Sequence, residues 1–369
     1  MHQADNSDFD PTTKSTLEWQ PAGFYRSQGN GLLCTLCPHA CVLADGETGR
    51  CQIRRRHGSR LETATFATSV RHLDTIERKP LYHYRPGRKV LTLAAPGCSF
   101  TCLYCQNYRL SQFGRTPAAP WRAEPVEVAT VIAEAVEKHA AVALSYSEPS
   151  LAAELTLALA AAGRPYGIDI IWKTNGFLTA EALARIAPSL SAVNVDLKAV
   201  DEHKHKALTG APVGPVLEVI AGFIAAGVWV EISTPLIPKF NADSDSLRNI
   251  AAAVRELGPQ IPWHLLRFTP QYRLRRAKPT PIEVLNTARM IARETGLHYV
   301  YVERAYGPAA RNTFCPQCGE EVVQRDIWAT HAVSLVDGAC PHCGFAIPGR
   351  WDLGYLARPR LRQHPSDTP

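Results

Sequence analysis

No apolar run in this sequence is long enough to cross a membrane. The longest, around Leu155–Gly163, falls far short of the roughly 20 residues a spanning helix needs. Residues Met1–Gln20 are polar and carry no secretion-signal pattern, so a cytoplasmic protein without a membrane partner is expected. There is no Walker phosphate loop, no Ser-His-Asp constellation and no long-period repeat, which removes nucleotide hydrolases, serine hydrolases and solenoids from the first readings. Charged residues make up 20% and hydrophobic residues 46%, the balance of a globular chain rather than a disordered or fibrous one. At 369 residues, one large domain with small modules is the natural expectation.

No cysteine is left over either. All eleven fall into three groups. Cys34, Cys37, Cys41 and Cys51 form C-x2-C-x3-C-x9-C. Cys98, Cys102 and Cys105 form C-x3-C-x2-C. Cys315, Cys318, Cys340 and Cys343 form C-x2-C-x21-C-x2-C. Without an export signal, such spacing points to metal binding rather than disulfides. The groups of four match the ligand number of a tetrahedral ion, and the group of three does not. Filled sites also change the charge. The formal +6 falls to roughly +1 once the thiolates on two zinc ions and one iron–sulfur core are counted. The basic excess is therefore no evidence for nucleic acid, which is not an expected partner.

Along the chain, residues 1–20 lack periodic hydrophobicity and read as a mobile tail. Residues 21–88 hold the first cysteine module and a linker. Residues 89–311 alternate strand-like and helix-like segments, and residues 312–369 hold a zinc-ribbon-like module and a C-terminal tail. The expected strands are Lys89–Ala94, Ala141–Ser147, Ile168–Thr174, Ala192–Lys198, Val228–Leu236, Trp263–Thr269 and His298–Glu303. Helical stretches such as Pro125–His139, Ser150–Ala162, Ser244–Leu257 and Ile282–Thr295 lie between most of them. This alternation predicts an α/β fold with a parallel sheet, closed wholly or partly into a (β/α) barrel. Two strands have a polar face: Asn194, Asp196 and Lys198 in one, Trp229, Glu231 and Ser233 in the next. Unpaired buried charge is costly, so that face is expected to line a wet cavity; internal salt bridges are the alternative.

The three-cysteine loop, PGCSFTCLYCQ over 96–106, follows directly after the first strand of the alternating region. Three thiolates on one loop can hold three irons of a cubane and leave the fourth open to a small molecule; zinc with a distant fourth ligand is the alternative. With Tyr104 before the last cysteine, this segment resembles the signature of the radical S-adenosylmethionine (SAM) superfamily. The resemblance implies a full or partial (β/α) barrel of the radical SAM type and a [4Fe–4S] cluster on Cys98, Cys102 and Cys105. It also implies a reducing electron donor, and reductive cleavage of SAM to a 5′-deoxyadenosyl radical that abstracts hydrogen.

Other segments extend the likeness. SYSEPS over 145–150 places Glu148 at the end of the second of these strands, where the family often has a Gly-Gly-Glu-type contact to the SAM amino group. WKTNGF over 172–177 and VDLKA over 195–199 resemble the SAM-contacting segments of activating enzymes for glycyl radical enzymes. Tyr104, Glu148, Lys173, Asn175, Asp196 and Lys198 are accordingly the cofactor-binding candidates, although those enzymes often carry Asp where this chain has Lys173. CTLCPHACVLADGETGRC, IERKPLYHYRPG, the three-cysteine segment and the terminal CPQCG and CPHCG are together similar to the radical SAM member of the AmmeMemoRadiSam system, related to pyruvate formate-lyase activating enzyme. That membership implies no defined substrate.

The paired terminal knuckles favour structural Zn²⁺ over a rubredoxin-like iron. Between them only Arg325 is a fixed cation, which favours scaffolding or substrate docking over nucleic-acid binding. For the first cysteine group, Zn²⁺ and an auxiliary iron–sulfur cluster both remain open, with His39 among the ligands. The leading reading is an enzyme acting on an unidentified small-molecule or protein substrate. An activating enzyme for a glycyl radical enzyme is the alternative within the class. A non-catalytic metal scaffold or nucleic-acid-binding ribbon protein is the alternative outside it. The Asp201–Lys206 run is expected to be a solvated helix start, Arg273, Arg275 and Arg276 a surface loop, and His83 a packing residue as readily as a catalytic one.

Overall fold

A computed structural model describes residues 18–115, 123–303 and 308–352. Most of the tail expected at 1–20 and nearly all of the one after the ribbon lie outside these residues. The core is an eight-stranded sheet. Its strands are β1 (Arg71–Thr75), β2 (Lys89–Leu93), β3 (Ala141–Leu144), β4 (Ile170–Thr174), β5 (Ala192–Asp196), β6 (Trp229–Leu236), β7 (Trp263–Arg267) and β8 (Val300–Val302). β2 to β8 are parallel and adjacent in chain order, and β1 pairs antiparallel with β2. The two edges, β1 and β8, do not pair with each other, so the barrel is partial.

Local chemistry explains the elements. β3 is apolar on both faces, and β2 and β4 are buried along most of their length, as strands covered on both sides must be. The crossovers include α1 (Val128–Glu137), α2 (Ala153–Gly163), α3 (Ala180–Ile186), α4 (Glu202–Thr209), α5 (Gly214–Ala225), α6 (Ser244–Leu257) and α7 (Ile282–Glu294). Side chains of Thr179, Asp201 and Asp243 accept from Ala182 N, Lys204 N and Ser246 N, which fixes the starts of α3, α4 and α6. Trp172 of β4 is fully buried and donates its indole N–H to Thr156 Oγ1 of α2 at 3.1 Å.

Two departures from the sequence reading concern the interior. The lower half of the polar barrel face does not line a wet cavity. Glu231 has no exposure, and its carboxylate accepts from Tyr82 N at 2.9 Å, His83 N at 2.7 Å, Trp229 Nε1 at 3.0 Å and His264 Nε2 at 2.6 Å. The linker segment that includes Tyr82 and His83 thus plugs the amino end of the sheet. Its backbone N–H groups supply the partners that burying a carboxylate requires. The Asp201–Lys206 run is also not wholly solvated. His205 is fully buried in α4, hydrogen-bonded through Nδ1 to Ala211 O at 2.7 Å and set edge-on against Phe100.

His83 lies in this plug and not among the cysteines. It bonds Pro348 O through Nδ1 at 2.7 Å and Tyr301 Oη through Nε2 at 2.6 Å. Burial pushes its pKa down to about 4, against a partial upward pull from Glu231. The folded state therefore favours the neutral ring. The stabilisation is present above the unfolded value near 6.5 and is lost as pH falls from there to about 4, for a total of about 3 kcal/mol. Chemical unfolding at pH 7 and pH 4.5 should show this loss in the wild type and a clearly smaller one in His83→Gln.

Candidate functional site

The three-cysteine loop leaves the carboxyl end of β2, the end where barrel sites assemble. Its backbone is pinned to α4: Thr101 N donates to Thr209 O at 2.8 Å and Leu103 N to Leu208 O at 3.0 Å. Gly97 adopts φ 86°, and a Cβ there would stand 2.8 Å from Ile53 Cγ1 and 3.1 Å from Cys51 O. Glycine is required by the turn and by the close approach of the N-terminal module.

Cys102 is buried, and Cys98 and Cys105 are half-buried. Phe100 N points at Cys98 Sγ at 3.3 Å, Asn175 Nδ2 lies 3.6 Å from the same sulfur, and Ser111 Oγ is 3.1 Å from Cys105 Sγ. These donors suit thiolate acceptors. Burial pushes the Cys102 thiol up to about 12, and nearby Lys198 only partly offsets it. Ionising three such thiols together needs a positive core between them. Among the described residues, one set of three or more His, Cys, Asp or Glu ligand atoms converges within 4.8 Å, and it is Cys315, Cys318, Cys340 and Cys343. The three loop sulfurs stand wider than that. Sulfurs on different irons of a cubane are farther apart than sulfurs on one ion, so the loop fits the cluster better than zinc.

The other candidates gather at the carboxyl ends of β3, β4 and β5. Glu148 is 2% exposed and accepts from Ser150 N at 3.0 Å, Thr174 Oγ1 at 2.5 Å and Asn175 N at 2.8 Å. Burial raises its pKa and these donors pull it back. Its carboxylate is largely spent on ordering Asn175, whose Nδ2 in turn reaches Ser99 Oγ at 3.0 Å. Lys173 and Lys198 flank Asp196. Lys198 Nζ is 2.8 Å from Asp196 Oδ2, and Lys173 Nζ pairs with Asp196 Oδ1 and lies 2.7 Å from Asn194 Oδ1. Burial would raise the Asp196 pKa, but the two ammonium groups outweigh it and hold it at about 2. Lys198 also stands 5.8 Å from the Tyr104 ring centroid, and Tyr104 Oη is buried with no partner. An orphaned hydroxyl beside an ionic triad and three thiols is what a polar ligand at this mouth would satisfy.

The sequence reading missed Ser99, Ser111, Thr174 and Arg115. Arg115 donates to Cys98 O at 2.7 Å, Phe100 O at 2.8 Å and Arg50 O at 2.8 Å, tying the loop to the N-terminal module. Ser111 lay in plain view in the YRLSQ stretch. Nothing in spacing alone marks a hydroxyl as a sulfur's partner. Arg273 sits on the surface, but its backbone N–H donates to Leu103 O at 3.0 Å.

The four terminal cysteines do converge. Cys315 and Cys343 sulfurs are 3.5 Å apart, and those of Cys318 and Cys340 3.6 Å, close to the ~3.8 Å expected around one tetrahedral ion with 2.3 Å bonds. Gly319 and Gly344 take φ of 78° and 74° to form the two knuckle turns. The module packs against the plugged end of the barrel. Arg325 is 4% exposed, donates to Tyr82 O at 2.7 Å and Thr313 Oγ1 at 2.8 Å, and stacks 4.4 Å over the Tyr82 ring. The one cation between the knuckles therefore faces inward. Replacing Cys318 with Ser should release the ion and lower the unfolding midpoint by roughly 10 °C or more, read by calorimetry with metal analysis.

Comparison with known proteins places this geometry. The radical SAM superfamily profile matches residues 93–250, and the chain belongs to that superfamily. It is a radical SAM enzyme, a class that implies a [4Fe–4S] cluster, SAM and a reductant. Over 332 residues it is 33% identical to the Uncharacterized protein MJ0808 of Methanocaldococcus jannaschii, covering 88% of this chain and 98% of that one. It is 31% identical over 141 residues to an isethionate sulfite-lyase activating enzyme of Nitratidesulfovibrio vulgaris, covering 37% of this chain and 46% of that enzyme. A solved domain of a pyruvate-formate lyase-activating enzyme from Bacteroides vulgatus matches at 21% identity and a TM-score of 0.37, over 44% of this chain and 98% of that domain. Among the described residues no single helix is long and apolar enough to cross a membrane.

Proposed function

We propose that Cys98, Cys102 and Cys105 hold the cluster, and that the enzyme abstracts hydrogen from a small molecule or protein other than a glycyl radical enzyme. The single observation that carries the cluster assignment is the wide set of three buried or half-buried thiols on a loop pinned at the mouth of a parallel partial barrel. When bound, the cluster supplies an electron to SAM, yielding methionine and a 5′-deoxyadenosyl radical.

The chain's own residues bind, orient and exclude water. Asn175, ordered by Glu148, holds Ser99 and the Cys98 sulfur in place. The Lys173–Asp196–Lys198 triad keeps part of its side-chain surface open, 16%, 23% and 7% respectively, and presents fixed charges of both signs to the zwitterionic and hydroxyl groups of SAM. Tyr104 offers its free hydroxyl on the same side. Glu148 acts chiefly as a positioning residue, because three donors already occupy its carboxylate.

The substrate reading rests on architecture. Residues 21–88 close one side of the mouth and the terminal module closes the opposite end of the barrel, while the match to an activating enzyme covers 37% of this chain. The AmmeMemoRadiSam assignment belongs with this reading and is supported by the order and spacing of the cysteine modules. Activation of a glycyl radical enzyme is the second reading, favoured by the names of the partial relatives. Anaerobic incubation with SAM, reductant and a glycyl radical enzyme from the same cell separates the two. A protein radical signal in the partner would overturn the first reading, whereas 5′-deoxyadenosine without such a signal supports it.

A further inference from the structure

The segment that leads from β1 into the plug carries a buried charge that the site above does not use. Lys79 is 1% exposed. Among the described residues its ammonium bonds Asp74 Oδ2 alone, at 3.3 Å, and lies 5.2 Å from the Tyr146 ring centroid. Asp74 is already shared. Its Oδ1 takes Arg78 Nε at 2.9 Å, and its Oδ2 stands 3.3 Å from His72 Nε2. Arg78 and Lys79 against Asp74 leave one positive charge unmatched while His72 is neutral. Burial lowers the Lys79 pKa to about 8, against the upward pull of Asp74. An ammonium with three donors and one long contact is incompletely paired for so buried a place.

The cluster faces the inside of the partial barrel. Val90 of β2 packs with Ile76, Leu81 and Tyr84 of the plug, and Thr92, two residues on, shares that face. His72 and Asp74 of β1 stand opposite Thr92 and Val90. Thr92 Oγ1 is buried without a partner, a second sign that a polar group is wanting there. Tyr146 closes the set from the other side of β2. It follows β3 with φ 69°, a left-handed conformation that strains an aromatic residue and persists where the surroundings demand it. Its hydroxyl reaches His72 Nε2 at 3.3 Å. The same turn is bonded to the three-cysteine loop, since Glu148 N donates to Gly97 O at 3.1 Å. Arg78 and His72 each keep 41% of their side-chain surface open. The Arg78 guanidinium is steadied 4.7 Å over the ring of Trp328 from the terminal module.

We propose that this cluster binds a carboxylate group of the substrate beside the three-cysteine loop, with Arg78 and the Tyr146 hydroxyl as donors and Lys79 as the buried charge behind them. The occupant's chemistry follows from the charges. One unmatched cation suits a monoanion, whereas a phosphate dianion would leave the cluster negative. A guanidinium also pairs with a carboxylate in a fixed, planar geometry, which orients the ligand as well as holding it. Anchoring a substrate next to the loop that carries Cys98 would set which of its hydrogens lies nearest the radical. That the anion belongs to a substrate rests on the radical reading above; the anion site itself does not.

The test is saturation-transfer NMR of sodium acetate on reconstituted full-length protein, at constant ionic strength and with saturating SAM present to fill its own carboxylate site. Acetamide, of the same shape but uncharged, is the control, and inorganic phosphate is the competing anion. Acetate should bind the wild type with millimolar half-saturation, and acetamide should not. Tyr146→Phe, which keeps the ring, should weaken acetate binding about tenfold, and Lys79→Met should abolish it. Arg248→Gln, at an exposed position of α6, should bind as the wild type does. Equal acetate binding in the wild type and Tyr146→Phe would overturn the proposal. So would equal transfer to acetamide, or phosphate displacing acetate at lower concentration. The Tyr146→Phe result decides the matter even where Lys79→Met fails to fold. Acetate binding without 5′-deoxyadenosine on reduction would count against the radical reading and leave this site standing. 5′-Deoxyadenosine without acetate binding would overturn this proposal alone.

Discussion

Cys102→Ala is expected to abolish reductive cleavage of SAM, lowering 5′-deoxyadenosine production by on the order of 10³ or more, while leaving the fold intact. The loss follows from ligand count. With only two protein thiolates on the loop, a second iron loses its anchor and the cluster is no longer held with one corner open. The fold should survive because the loop is fixed by backbone bonds from Thr101 and Leu103 to the end of α4, and these do not involve the sulfur. Circular dichroism and the unfolding midpoint should therefore stay close to wild type, while iron and sulfide fall by about four per chain. Retained 5′-deoxyadenosine in this variant would place the cluster elsewhere.

Asp196→Asn should have the second largest effect, on stability and SAM affinity together. Asp196 is the shared anion between Lys173 and Lys198, both mostly buried. An amide there leaves two ammonium groups facing each other in a poorly solvated site, which costs about 3–5 kcal/mol where one member of a buried pair is removed. The pH dependence follows from the same charges. The folded carboxyl is held at about 2, below its unfolded value near 3.8. Its contribution is therefore complete above 3.8 and is lost as pH falls from there towards 2. Equilibrium unfolding measures the first effect, and calorimetric titration with SAM measures the second. We expect roughly tenfold weaker SAM binding. Unchanged affinity beside lowered stability would reduce the triad to a structural ion pair.

The sequence carried much of this architecture because its signals are local. Seven strands stand where continuous apolar runs or alternation placed them, and Ser244–Leu257 is a helix over the expected residues. The parallel order followed from strand–helix alternation, which is also a local property. What escaped depends on contacts between distant segments. Glu231 looked like a cavity residue because its partners, Tyr82 N and His83 N, lie 149 and 148 positions away. His205 sat in a charged run and gave no hint that Phe100 would cover it. Arg325 was visible as a lone cation, but its inward stacking on Tyr82 was not. The cysteine spacings gave the right grouping for the terminal set. The wider separation of the N-terminal sulfurs is a property of the folded loops, and ligand count in the sequence could not reveal it. Glu148 was legible as a strand-end carboxylate, yet only its three donors identify it as a positioning group.

The most direct test of the central claim is anaerobic reconstitution with iron and sulfide, followed by reduction in the presence of SAM and mass spectrometry for 5′-deoxyadenosine and methionine. The account predicts both products in equal amounts, dependent on reductant and absent from the Cys98, Cys102 and Cys105 variants. Intact SAM after reduction, in protein shown to hold a reduced cluster, would contradict it.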